Sequence, residues 1–172
     1  MDEQQYRSAY REMNPTRCYF EKTLLLRYAN CKQANKLFLA EREAFGCQSA
    51  EAQTQCLNLL LLLRDNARFS LQLPNIEGQL PHAKEIKVQV GGVFGIQQLL
   101  NDKNLTQTEV LQDDDAKFGE QAKQHAPIEN IYQTIQDALI EFGSLDNIPY
   151  NEIVKSIINF KIPERKRKKK KR

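Results

Sequence analysis

The chain has 172 residues and a formal net charge of +3. That length can bury a core without disulfides or metal, which argues against a stapled miniature scaffold. Its richest apolar run, Cys56 to Leu63, falls far short of the roughly 20 residues a membrane helix needs.

The opening MDEQQYR is polar and charged, not basic and then apolar, so no secretory leader is expected. Four cysteines without a CxxC pair point to reduced thiols and a cytoplasmic location.

Residues 2–13 read as a short polar helix ending at Asn14-Pro15, because the residue before a proline disfavours helical dihedrals. From Thr16 to Phe45 there is no proline or glycine. Phe20, Leu24, Tyr28, Cys31, Ala34, Leu37, Phe38, Glu41 and Phe45 follow spacings of three and four with one charged interruption, which predicts one long helix. Gly46 then stands where a left-handed cap would end it. Ser49 is placed to cap a third helix running to about Arg68, whose leucines nearly encircle it, as in a helix inside a bundle.

Two prolines and a glycine make Leu71 to His82 a connector. In EIKVQVGGVFG, alternating Ile86, Val88 and Val90 suggest a strand, although a helical stripe also fits. Two adjacent glycines inside a helix would cost about 2 kcal/mol relative to alanine. The expectation is therefore a short extended segment over 85–90 and a helix from about Val93 to Asn101. Residues 102–126 read as an acidic polar linker with one or two possible turns near Thr106 and Glu109. Pro127 to Gly143 predicts a helix with Ile128, Ile131, Ile135, Ala138 and Phe142 on one face. Residues 150–160 repeat the pattern before Pro163.

The expected fold is mainly α: a small bundle of two antiparallel helical hairpins, one short extended segment and a disordered basic C-terminal tail. Its parts are an N-terminal helical region over 1–101, the linker over 102–126, a C-terminal hairpin over 127–160 on the same core, and the tail over 161–172.

The tail carries the strongest functional signal. Arg165, Lys166, Arg167, Lys168, Lys169, Lys170, Lys171 and Arg172 are contiguous cations. Setting these eight aside reduces 25 Lys and Arg to 17, against 22 Asp and Glu, a balance of −5 for the body. Like charges without apolar neighbours cannot fold on themselves and look outward to nucleic acid or another polyanion. If all eight met duplex phosphates, log K would fall against log salt with a slope of about −7. No aromatic interleaves them, so attachment would be independent of sequence. The bland alternatives are a solubilising end, or contact with the acidic stretch over 102–152.

Cys18, Cys31, Cys47 and Cys56 lie 13, 16 and 9 residues apart, and no cysteine follows. Clustering invites a four-thiolate zinc or iron–sulfur site. On the long helix expected here, however, Cys18 and Cys31 would stand about 20 Å apart along the axis, which favours plain buried packing.

GGVFG has neither phosphate-loop spacing, so a backbone bend with close packing is the better reading. His82 and His125 fall in expected loops, and no serine lies in GxSxG. No catalytic set emerges. The leading expectation is a non-enzymatic accessory protein whose helical faces meet a protein partner or a second copy while the tail holds nucleic acid. The alternative is a four-cysteine zinc or iron–sulfur protein with a structural, redox or electron-transfer role.

Overall fold

Residues 2–73, 80–108 and 127–162 are described by the computed structural model. The first helix, α1 (Glu3–Met13), opens with reciprocal capping. The Asp2 carboxylate accepts from the Gln5 amide at 2.8 Å, while Gln5 Oε1 accepts from the Asp2 amide at 3.1 Å. It ends at Asn14, as the following proline predicts. No α1 residue is buried, so the helix is held by its rim.

The long helix expected over 16–45 does not form. Only α2 (Glu21–Leu25) appears, and Arg27 beyond it has a φ of 61°. An antiparallel hairpin follows, β1 (Ala34–Leu39) with β2 (Arg42–Cys47), in register from Ala34 opposite Cys47 to Leu39 opposite Arg42. The reason is partnership outside the segment. Arg17 bridges to Gly46, the Cys18 amide donates to the Phe45 carbonyl at 2.9 Å, and the Cys47 amide donates to the Thr16 carbonyl at 2.6 Å. These bonds satisfy backbone that a helix would have satisfied internally, so tertiary pairing overrides local propensity. Gly46 serves close approach rather than a helix cap, because a Cβ there would sit 2.8 Å from Asn14 Oδ1.

The central helix is α3 (Ala50–Ala67), capped by Ser49 as predicted, with the hydroxyl accepting from the Ala52 amide at 3.1 Å. Leu59, Leu60 and Leu63 are fully buried, whereas Leu61 is half-exposed.

The strand expected over 85–90 is helical instead. Short α4 (His82–Ile86) passes into a π turn (Lys87–Gly91) and then into α5 (Gly92–Thr108), well beyond the expected end at Asn101. His82 therefore opens a helix rather than lying in a loop. The cost of the glycine pair is offset by what the glycines admit. A Cβ on Gly91 would lie 2.7 Å from Ile157 Cα, and one on Gly95 would lie 3.2 Å from Ile153 Cα. Close packing, the reading preferred for GGVFG, is what these glycines provide.

Residues 127–130 are extended rather than helical, and Ile128 bridges in parallel to Ala29. Pro127 thus does not open the next helix. Instead α6 (Ile131–Phe142) starts after Asn130 and stops at Gly143, whose φ is 78°. A 3-10 turn (Leu145–Asn147) leads to α7 (Tyr150–Asn159). The faces of α6 and α7 pack mainly on α3 and α5, and on the π turn in the case of α7, to form one core with Phe20, Leu24 and Ile96.

Among the described residues, no helix is long and apolar enough to cross a membrane. The stretch Asp113 to Asp115, His125 and the basic tail lie outside the described residues.

Candidate functional site

Correcting the N-terminal fold brings the cysteines together. Cys18 sits on the extended segment beside β2, Cys31 on the loop before β1, Cys47 at the end of β2 and Cys56 two turns into α3. All four line one cavity of about 10 Å³, walled by Tyr19 and Tyr132. That is about the space of one water-sized probe. Cys18 and Cys31 are not held apart along a helix axis, because the helix expected between them does not form.

Hydrogen bonds fix the backbone around each thiol. The Cys18 and Cys47 segments are pinned to each other by the two bonds already described. The Gln53 side chain on α3 donates to the Arg17 carbonyl at 2.9 Å, tying the Cys18 segment to the helix that carries Cys56. On either side of Cys31, the Asn30 amide donates to the Ile128 carbonyl at 2.8 Å and the Lys32 amide to Asn130 Oδ1 at 3.2 Å. The start of α6 therefore holds the Cys31 loop and places Tyr132 over the cavity.

A buried polar network supports the same region from below. Arg64 grips Glu85 with two bonds of 2.7 and 3.2 Å, and the Leu80 amide donates to the same carboxylate at 3.2 Å. Gln89 in the π turn donates to Glu85 at 2.8 Å and to the Tyr19 carbonyl at 3.0 Å, while it accepts from the Thr23 hydroxyl at 3.0 Å. Gln89 thus fixes the backbone next to Cys18. Fully satisfied networks of this kind rigidify what they touch.

Cys18 and Cys56 are chemically quiet in this state. Burial pushes Cys18 up to about 12, partly opposed by a hydrogen bond from the Phe20 backbone and reinforced by Cys31, Cys47 and Glu21. Cys56 is raised too, by burial and then by the other three cysteines. Each thiolate would repel its neighbours, which makes the cluster a poor nucleophile but a place where a bound cation would be strongly favoured.

No disulfide joins any of the four. They surround the cavity without forming a closed shell. Among the described residues, no three His, Cys, Asp or Glu side chains are disposed to hold an ion. The four thiols share one space without standing in ligand geometry. The Cys47 thiol donates to the Ser49 carbonyl at 3.1 Å.

The eight predicted tail residues fall outside the described residues, so the structure neither brings them together nor separates them. The tyrosine walls and the Glu85–Gln89 network were missed in the sequence. The available signal for the network was a glutamate and a glutamine four residues apart, interleaved with Ile86, Val88 and Val90. No family, curated protein or solved structure matches the chain.

Proposed function

We propose that Cys18, Cys31, Cys47 and Cys56 form a metal centre, zinc or an iron–sulfur cluster, with a structural, redox or electron-transfer role in a non-enzymatic interaction protein. The observation that supports it is the meeting of every cysteine in the chain at one cavity, despite separations of 13, 16 and 9 residues and four different structural contexts. Simple packing does not call for thiols at all four positions, since alanine or valine also fills such space. Four thiolates are the common donor set of structural zinc and of iron–sulfur clusters.

The test is metal analysis of anaerobically purified full-length protein alongside its visible spectrum. About one zinc per chain without colour identifies a structural ion. Iron and sulfide with absorbance near about 400 nm identify a cluster. Folded protein that is colourless and metal-free, and takes up neither zinc nor iron on reconstitution, ends the proposal.

The contiguous cations of residues 165–172 favour a second activity in the same protein, attachment to nucleic acid or another polyanion without base recognition. Mobility shifts at increasing salt, comparing the full chain with one ending at Glu164, test it. Equal binding by both removes the tail from the reaction.

A further inference from the structure

A second opening lies on the other side of Tyr19 from the cysteines. It is a cleft of about 760 Å³ between α1, the segment after it, and the α2–β2 surface. Three tyrosines, Tyr6, Tyr10 and Tyr19, and three arginines, Arg7, Arg11 and Arg17, line it. The tyrosines are half-buried and the arginines exposed. Their rings are held by neighbours. Arg42 lies over the Tyr6 ring at 4.4 Å from its centroid, Arg17 over the Tyr19 ring at 5.6 Å, and Tyr6 and Tyr10 stand 6.2 Å apart.

Charge decides what the cleft attracts. Two carboxylates also line it, but both are engaged. Glu21 accepts the Tyr10 hydroxyl with both oxygens, at 3.0 and 2.9 Å, and the Phe45 amide at 2.8 Å. Glu43 is paired with Arg27 at 2.8 Å and Lys36 at 2.7 Å. Arg7 pairs with Glu3 at 3.2 Å. Arg11 and Arg17 are in no ion pair among the described residues, so two guanidinium groups of the lining remain available to an anion.

Guanidinium groups bind phosphate, and tyrosine faces stack on bases of any identity. We infer that this cleft binds single-stranded nucleic acid, with Arg11 and Arg17 on the phosphates and Tyr6 on a base. The inference is independent of the metal centre. It adds base stacking to the polyanion attachment proposed for the tail, and the two are separable because the tail contains no aromatic residue.

The experiment measures binding of the full chain to a labelled oligothymidylate and to an abasic strand of equal length by fluorescence anisotropy. The expected result is that the base-bearing strand binds about tenfold more tightly, within the range for loss of one base stack. Tyr6→Leu and the double variant R11A/R17A should erase that preference while leaving abasic binding by the tail in place. Arg11 and Arg17 are exposed and Tyr6 is half-buried, and an unchanged melting temperature confirms folding.

Equal affinity for the two strands overturns the inference, as does a preference that survives in both variants. Thymidine monophosphate that binds as tightly as the strand also overturns it, since the cleft would then be a nucleotide pocket. If neither strand binds at low salt, the tail reading fails as well. If both bind equally and salt-sensitively, only the cleft fails.

Discussion

Replacing Gly91 by alanine separates local propensity from packing. Inside a helix, alanine is better than glycine by about 1 kcal/mol, so propensity alone predicts a more stable protein. The structure predicts the reverse. A Cβ at this position would lie 2.7 Å from Ile157 Cα, 3.2 Å from Ile157 N and 3.1 Å from the Ser156 carbonyl. Carbon atoms in contact prefer separations of about 3.5–4.0 Å, so α7 would have to retreat by about 1 Å. The contacts are backbone, and no rotamer change relieves them. Overpacking costs about 1–3 kcal/mol, and with the propensity gain subtracted the variant should lose about 1–2 kcal/mol.

Gly92→Ala is the matched control. The three atoms nearest its Cβ would all belong to the Leu63 side chain, at 2.7, 2.8 and 3.3 Å, so the contact is with a side chain and not with backbone. Its loss should be smaller, within about 1 kcal/mol of wild type. Urea titration followed by circular dichroism reads both midpoints, and an unchanged slope confirms that the same transition is compared. If Gly91→Ala unfolds at or above the wild-type midpoint, or Gly92→Ala is the more damaging, the account of why these glycines occupy a helix is wrong.

Three further outcomes are expected. Arg64→Met leaves Glu85, whose side chain is 1% exposed, without its cation, and should cost about 3–5 kcal/mol in the same titration. A loss below about 1 kcal/mol would show that Gln89 and the Leu80 amide suffice to hold the carboxylate. Ala40 begins the hairpin turn with a φ of 54°, so Ala40→Gly should raise stability by up to about 1 kcal/mol, checked as a higher melting temperature. Alkali should weaken the metal-free protein. The unfolded Cys18 thiol loses its proton around its ordinary value of 9, while the folded one keeps it up to about 12. Its contribution is complete below the lower value and is lost as pH rises through the upper one. Cys18→Ser should therefore flatten the fall in stability with pH above about 9, although Cys56, Tyr10 and Tyr150, also raised by burial, retain part of it.

Elements defined by their own residues were legible before the structure. The Asn14-Pro15 stop, the Ser49 cap, the leucine-rich interior of α3 and the Gly143 terminus all depend on chemistry within a few residues. What was illegible depends on distant partners. The segment from Ala34 to Cys47 carries no Asn-Gly or Asp-Gly turn, and its apolar spacing fits a helix as well as a strand. Its extended form is selected by Thr16 and Cys18, which bond to β2 from outside it. The glycine pair misled in the opposite direction, because its cost was visible locally while the approach of α7 that offsets it was not. The cysteine cluster followed the same logic. Its four members were named from the sequence, but their distances were judged on a helix that is not there.

The Cys31 loop is held by a bond that reaches 98 residues ahead, from the Lys32 amide to Asn130. During synthesis on the ribosome all four thiols emerge long before Asn130 and Tyr132 exist. For that interval the nascent chain presents the cysteines without the Tyr132 wall and without the bond that holds the Cys31 loop, both of which come only with the start of α6.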